Sequence, residues 1–291
     1  MNEKLTQIKN VIDKRLEELF SLDIPDTLRD AMYYSVEAGG KRIRPTLTLL
    51  AAELFSADTA EVLDIACAVE MIHTYSLIHD DLPALDNDTL RRGKATNHVM
   101  FGEAQAILAG DGLLNYAYET MLQNTLMYSN NLASHVSAIK MVANAAGIGG
   151  MIAGQVQDVL LEGKEISFAE LSYIHAHKTG ALITAALIAG ILPYHPNAAQ
   201  FDAIKTYGEK IGLVFQIVDD ILDVTGDDSL GKSRGKDERD NKTTYVSLFG
   251  IDAAQEKAEI LTKEAKEAVA MFGEMANWLT AFADMLLNRT F

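Results

Sequence analysis

Apolar residues recur at three- and four-residue spacing along most of the chain, the spacing that places them on one face of an α-helix. The first such stripe consists of Leu5, Ile8, Ile12, Leu16 and Leu19. Alternating strand patterns are scarce, and the five prolines stand where helices could begin or end. Capping-box patterns mark three helix starts, at Asp58 with Glu61, Ser167 with Glu170 and Asp252 with Gln255. The pattern therefore predicts an all-α protein.

No linker or change in composition divides the 291 residues, so we expect residues 1–291 to form a single domain. The formal net charge of −16 argues against a general affinity for nucleic acid or an anionic membrane, since both need a positive field. The longest apolar run, residues 180–192, is shorter than the roughly 20 residues that span a bilayer. It predicts a core helix. The N-terminus has no apolar signal region, and Cys67 is the one cysteine. We expect a cytoplasmic protein without disulfides or membrane attachment.

Two apolar segments run directly into clusters of aspartates. MIHTYSLI is followed by HDDLPALDND at 79–88, and IGLVFQIV is followed by DDILD at 219–223. Asp219 and Asp223 are four residues apart and share a helix face. DDILD alone is typical of an exposed face, but the preceding turns are apolar on every side, so we expect these carboxylates to face a cavity. Two such charges 4 Å apart repel by about 4 kcal/mol at an effective dielectric near 20, so cations are required.

The first cluster does not form a regular helical face. Asp80 and Asp86 are six residues apart, and Pro83 must end or distort the helix between them, which could bring Asp86 back toward Asp80. Hard oxygen ligands suit Mg²⁺, which commonly takes one or two carboxylates and completes its shell with water and substrate phosphates. No histidine and carboxylate arrangement typical of a zinc site accompanies them.

Basic residues stand at several places in the chain. GGKRIRP at 39–45 places Lys41, Arg42 and Arg44 beside two glycines, Arg91 and Arg92 follow the first cluster within a few residues, and Lys178 follows two histidines. Each lysine alone is more typical of a solvated surface group. Together, in so acidic a protein, they indicate phosphorylated substrates. The charged segment 226–242, which contains Lys232, is either a surface loop or a mobile flap over the site.

Five motifs occur in the order found in trans-isoprenyl diphosphate synthases: GGKRIRP, EMIHTYSLIHDDLPALDNDTLRRG, GQVQD, HKTGAL and FQIVDDILDVTGD. The chain most resembles the bacterial type of farnesyl diphosphate synthase, over roughly residues 25–250. The resemblance implies a large helical bundle around a deep central cavity, a homodimer, and condensation of an allylic diphosphate with isopentenyl diphosphate. The expected main product is farnesyl diphosphate.

The resemblance also implies roles for individual residues. The ligands of three Mg²⁺ ions would be Asp80, Asp81, Asp86, Asp219, Asp220 and Asp223. Groups at the allylic diphosphate would be Arg91, Lys178 and Lys232, with Thr179 and Gln216 nearby. The isopentenyl diphosphate pocket would contain Lys41, Arg44, His73 and Arg92. Tyr75, with its neighbour Ser76, would limit the product to fifteen carbons, although an ordinary core tyrosine is an alternative. His79 is either a structural hydrogen-bonding group or a substrate contact.

Three other functions stay open on the sequence. A geranylgeranyl diphosphate synthase of the same fold would need a small residue where Tyr75 stands. A metal-dependent phosphohydrolase is suggested by the His79–Asp80 pair, but it needs further histidine ligands. A non-catalytic subunit on this scaffold would be expected to have lost aspartates, whereas both clusters are complete.

Overall fold

Helices make up nearly all regular structure in the residues that the computed structural model describes, which are 2–56, 58–225 and 243–289. The α-helices are α1 (Asn2–Leu19), α2 (Asp26–Glu37), α3 (Ile43–Glu53), α4 (Ala60–Asp80), α5 (Asn97–Phe101), α6 (Glu103–Met127), α7 (Leu132–Ala146), α8 (Met151–Leu161), α9 (Phe168–Ile174), α10 (Ala181–Ile191), α11 (Ala198–Thr225), α12 (Tyr245–Phe249), α13 (Ile251–Ala268) and α14 (Asn277–Leu287). One π-helical segment, His175–Gly180, joins α9 to α10, and 3-10 turns occupy Ser129–Asn131, Leu192–Tyr194 and Ala270–Ala276. Two short antiparallel strands, β1 (Leu90–Arg91) and β2 (Lys94–Ala95), complete the elements, with Leu90 opposite Ala95. The all-α prediction is confirmed.

Two helices that are apolar on every side, α4 and α10, lie at the centre. A helix of this kind must be surrounded by protein, because no face of it can be solvated cheaply. α4 packs against α3 and α6, while α10 packs against α3, α7 and α11. The side chains from Leu182 to Ile191 are buried apart from Thr184, so the apolar run 180–192 forms a core helix as predicted. Cys67 is likewise fully buried on α4.

Two stretches are long and apolar enough to cross a membrane by length and composition alone, Ser129–Leu161 and Phe168–Tyr194. In the second, 67% of the apolar window is buried, as in the core helix of a soluble protein. In the first, 33% is buried, which leaves an apolar surface on α7 and α8. The absence of membrane attachment stays a prediction, as does the single domain over residues 1–291.

The capping patterns have mixed outcomes. Ser167 and Glu170 form the predicted capping box at the start of α9. The other two predicted boxes are wrong. α4 begins after Thr59, where the Asp58 carboxylate instead accepts a hydrogen bond from the Ala60 backbone N–H at 3.0 Å. α13 begins after Gly250, two residues too early for Asp252 to be its cap.

Candidate active site

The first aspartate cluster lies where α4 ends and the chain turns back on itself. The backbone N–H of Asp86 donates to the carbonyl of Asp80 at 2.9 Å, so the residues around Pro83 fold back as their spacing suggested. Burial raises the pKa of the Asp80 carboxyl to about 6; Lys178 opposes this shift, and the negative charge of Asp86 adds to it. Asp80 is therefore a half-buried carboxylate among like charges, with one lysine from a distant element close enough to influence it.

Asp81 is held by an arginine from the β-hairpin. Its carboxylate accepts from Nε of Arg91 at 3.0 and 3.2 Å and from Nη2 of the same guanidinium. Arg91 also lies 3.4 Å from a carboxylate oxygen of Asp88. Burial raises the pKa of Asp81, and the hydrogen bond from Arg91 lowers it. The charge of Asp81 is thus balanced within the protein.

The second cluster lies on the last turns of α11. The Asp220 carboxylate is buried and accepts from the backbone N–H of Tyr245 at 2.7 Å, which fixes the start of α12. The Asp219 carboxylate accepts from Nη2 of Arg289, near the C-terminus. Three of the six predicted metal ligands, Asp81, Asp219 and Asp220, therefore have protein partners. Sequence reasoning gave no role to Arg289, because no pattern in the last forty residues identifies it.

The turn before α3 brings backbone and arginine together. Gly39 and Gly40 have φ angles of 77° and 129°, which favour glycine. A Cβ on Gly40 would lie 2.7 Å from the central guanidinium carbon of Arg92, so a larger residue would displace that side chain. Nη1 of Arg92 donates to the Gly39 carbonyl. Lys41, which the resemblance assigns to the isopentenyl diphosphate pocket together with Arg92, is exposed on this turn.

Arg42 holds this turn in place through three hydrogen bonds. Its guanidinium donates to Glu70 Oε1 at 2.8 Å, to Asp13 Oδ1 at 2.8 Å and to the Val36 carbonyl at 2.7 Å. The side chains of Arg42 and Glu70 are 3% and 2% exposed, so this ion pair is buried and each charge depends on the other. Arg42 is therefore a structural residue, a role that its place in GGKRIRP did not reveal.

Arg44 and His73 lie close enough for the charge of one to act on the other. Arg44 is buried, its Nε has no hydrogen-bond partner among the described residues, and burial lowers its pKa to about 10, with Glu70 and Asp219 acting in the opposite direction. Burial and the positive charge of Arg44 hold the pKa of His73 well below its usual value, so His73 is neutral at pH 7. A buried arginine with an unpaired N–H group, beside a neutral histidine, can bind an anion.

The π-helical segment positions the predicted groups at the allylic diphosphate. Lys178 Nζ donates to Asp158 Oδ2 at 2.7 Å, and the Thr179 hydroxyl donates to Gln216 Oε1 at 2.8 Å. Helices often contain π turns at functional sites, because the extra residue redirects side chains. A Cβ on Gly154 would overlap the backbone nitrogen of Lys178, so the glycine allows α8 to approach. Gly154 and Asp158 are the first and last residues of the GQVQD motif. That motif is the sequence signal that could have identified Gly154 as the point of close approach and Asp158 as the partner of Lys178.

Tyr75 is buried on α4 and its ring meets the edge of the His79 ring, with centroids 5.8 Å apart. Burial raises the pKa of the Tyr75 hydroxyl to about 12. Ser76 donates to the His73 carbonyl at 2.9 Å. His79 Nε2 lies 3.0 Å from the carbonyl of Ile107 on α6, so of its two alternatives the structure favours the structural hydrogen bond.

Comparison with known proteins decides the family. The profile of the polyprenyl synthetase family matches residues 25–278. The chain belongs to the polyprenyl synthetase family. This confirms the resemblance to trans-isoprenyl diphosphate synthases and gives no support to the phosphohydrolase alternative.

Relatives of this polyprenyl synthetase carry two product names. It is 44% identical to a geranylgeranyl diphosphate synthase of Cyanophora paradoxa, over 98% of this chain and 95% of that protein. It is 46% identical to a farnesyl diphosphate synthase of Geobacillus stearothermophilus, over 88% of this chain and 86% of that protein. A crystal structure of a geranyltransferase from Legionella pneumophila superposes with a TM-score of 0.87, at 36% identity, covering 99% of this chain and 96% of that one. The protein is thus a prenyltransferase with the all-α isoprenoid synthase fold.

The donor set of this polyprenyl synthetase fits Mg²⁺ that shares its shell with substrate. Among residues 2–56, 58–225 and 243–289, no three His, Cys, Asp or Glu side chains lie close enough to hold an ion alone. Asp80, Asp86 and Asp223 accept no side-chain hydrogen bond from those residues. Mg²⁺ typically takes one or two carboxylates plus waters and phosphate oxygens, so free carboxylates beside an anion pocket suit it. Lys232 and the segment 226–242 lie outside the described residues.

Proposed function

We propose that the protein condenses dimethylallyl or geranyl diphosphate with isopentenyl diphosphate, head to tail, and that farnesyl diphosphate is the main product. One observation carries the proposal. Arg44 is buried with an unpaired Nε and lies within electrostatic reach of Asp219, while Asp80 lies within reach of Lys178. Basic groups beside carboxylates suit two diphosphate substrates, one bound by arginine and the other through metal.

Each group then has a task in the reaction. Arg44, Arg92 and neutral His73 bind and orient the isopentenyl diphosphate, whose double bond attacks the allylic carbon. Lys178, held by Asp158, presents a positive charge to the departing diphosphate. Thr179 fixes the side chain of Gln216 beside it.

Mg²⁺, when bound, supplies Lewis-acid stabilisation of that diphosphate. Asp80, Asp86 and Asp223, which accept no side-chain hydrogen bond from a described residue, would hold it together with Asp81, Asp219 and Asp220, and we propose the three ions per site that the family resemblance implies. The released diphosphate can accept the proton that leaves, so the reaction requires no dedicated protein base.

The position of Tyr75 on α4 supports a product of fifteen carbons. It stands five residues before Asp80, about 7.5 Å deeper along the helix axis at 1.5 Å per residue. Its ring is buried there, where it would meet the end of a growing hydrocarbon chain. Geranylgeranyl diphosphate is the alternative, because several relatives bear that name.

We propose further that the protein acts as a cytoplasmic homodimer. An apolar surface on α6 and α7 supports a dimer; its exposed side chains are Leu122, Leu126, Met127, Leu132 and Val136. Exposed apolar patches of this kind mark interaction sites. Analytical ultracentrifugation should give twice the chain mass, and a mass of one chain at micromolar concentration would contradict the dimer.

Product analysis tests the proposed function. Purified protein with Mg²⁺, dimethylallyl diphosphate and labelled isopentenyl diphosphate should yield a prenyl diphosphate that co-migrates with the fifteen-carbon standard. A mainly twenty-carbon product would favour the geranylgeranyl alternative. Release of inorganic phosphate with no new carbon–carbon bond would refute prenyl transfer.

A further inference from the structure

The side chain of Arg289 reaches the second aspartate cluster from the far end of the chain. Its Nη2 donates to Asp219 and, at 3.2 Å, to the carbonyl of Phe215. The guanidinium also lies over the Phe215 ring, 4.5 Å from the centroid. The side chain is 9% exposed. Three contacts thus fix one guanidinium at a carboxylate to which the proposed function gives a metal.

The fold, rather than a free tail, determines where Arg289 lies. Arg289 follows α14, and this helix is attached to its neighbours by two polar contacts. The Tyr207 hydroxyl on α11 donates to the Leu279 carbonyl at 2.7 Å, and Lys266 on α13 donates to Asp284 at 2.8 and 2.9 Å. These contacts bring the end of α14 to the end of α11, although Arg289 and Asp219 are 70 residues apart in sequence.

We propose that Arg289 is a positioning residue of the metal site, which holds Asp219 until a divalent cation takes its place. This proposal rests on the proposed function, because it takes Asp219 as a metal ligand. The arginine contact uses Oδ1 of Asp219, an oxygen that a metal would also need. A guanidinium and a divalent ion on one carboxylate would lie only a few ångströms apart and repel strongly. Metal binding therefore competes with the arginine contact and is linked to release of the Arg289 side chain from Asp219.

The competition has a measurable direction. Replacing Arg289 with glutamine removes the competing charge, so the metal alone should bind more tightly. The gain should be about two- to five-fold in Kd, the upper part of the range that a partly exposed ion pair gives. Arg289→Lys keeps the charge but loses the planar guanidinium and its contact with the Phe215 ring, so its Kd should lie between those of the wild type and Arg289→Gln. If Arg289 had only a structural role, Arg289→Gln would bind the metal more weakly than the wild type, or with the same Kd.

Mn²⁺ binding, followed by electron paramagnetic resonance with no diphosphate present, tests the proposal. Lys210→Gln is the matched control, because Lys210 lies on α11, pairs with Glu264 at 2.5 Å and carries the same charge. We expect tighter binding in Arg289→Gln, a change below two-fold in Lys210→Gln, and no effect of Arg289→Gln in an Asp219→Asn background. Circular dichroism checks that each variant is folded.

Equal or weaker Mn²⁺ binding by Arg289→Gln, relative to Lys210→Gln, would overturn the role of Arg289 and leave the proposed function standing. A different failure would be Asp219→Asn binding Mn²⁺ as tightly as the wild type. That result would overturn the assignment of Asp219 as a ligand, and with it both the metal site and the competition.

Discussion

Tyr75 offers the sharpest test of how this protein limits its product. In Tyr75→Ala the buried ring is removed below Asp80, so a fifteen-carbon chain should have room to accept another isopentenyl unit. Five more carbons buried at about 0.8 kcal/mol each would gain up to about 4 kcal/mol, an upper limit on the preference for the longer chain. We therefore expect products beyond fifteen carbons to become dominant.

The same substitution has a cost to stability. Removing a buried aromatic side chain typically costs about 3–5 kcal/mol, and less where the space stays open to a cavity. With an unfolding entropy of about 2.1 cal/mol/K per residue, 291 residues give about 0.6 kcal/mol/K. The melting temperature should therefore fall by at most about 5–8 °C. Product assays at 25 °C then compare folded enzymes.

Tyr75→Phe is the matched control, because the Tyr75 hydroxyl makes no hydrogen bond to a described residue and only that group is lost. Chromatography of dephosphorylated, labelled products should show fifteen carbons for Tyr75→Phe and longer chains for Tyr75→Ala. An unchanged product length in Tyr75→Ala would refute the reasoning, and so would equal lengthening in both variants.

Three further substitutions test the site and its support. Asp80→Asn should abolish most turnover yet stabilise the metal-free protein. Burial raises the pKa of Asp80 from 3.8 to about 6, so ionisation destabilises the fold as pH rises through that interval, by about 3 kcal/mol in full. Metal-free melts at pH 7.5 should therefore show a Tm higher by up to about 5 °C in Asp80→Asn, and the difference should vanish near pH 4. Glu70→Gln leaves the buried Arg42 charge with Asp13 as its remaining carboxylate partner, which should cost at most about 3–5 kcal/mol and lower the Tm by at most about 5–8 °C in calorimetry. Gly154→Ala forces α8 away from Lys178, and a displacement of about 1 Å there should lower kcat by about 100-fold in steady-state kinetics.

Controls separate these effects from general disruption. Glu53→Gln breaks the Lys4 ion pair, whose two side chains are about a quarter exposed, and should cost less than about 1 kcal/mol. Gly149→Ala introduces a Cβ with no atom within 4 Å and should leave kcat unchanged. A less stable metal-free Asp80→Asn would mean that the carboxylate is structural. Equal melting temperatures for Glu70→Gln and Glu53→Gln would contradict the argument about the buried Arg42 charge. Full activity in Gly154→Ala would contradict the argument about the position of Lys178.

Local patterns predicted the helices well because each depends on residues close in sequence. An all-round apolar segment such as 180–192 can only be a buried helix, and Pro83 can only interrupt one. The capping patterns were less reliable. Ser167 caps its helix, whereas Asp58 and Asp252 do not, because the packing of α4 and α13 begins each helix at another residue.

The sequence also indicated which residue types form the site, but not which of them pair with one another. Thr179 and Gln216 were expected near one another and are hydrogen-bonded. The sequence offered no reason to pair Asp219 with Arg289, or to give Arg42 a buried partner in Glu70. Each pair joins a helix to an arginine just outside another helix, and periodicity within one helix does not show which residues from elsewhere in the chain will meet it.

The sequence by itself determined an all-α chain with two apolar helices ending in carboxylates and a supply of basic residues nearby. Only the tertiary structure decided which carboxylates are balanced inside the protein and which stay available to a metal. The physical reason is that a buried charge is stabilised by whatever lies within a few ångströms of it. That neighbourhood is created when α4, α10 and α11 pack together, not by the order of residues along any one of them.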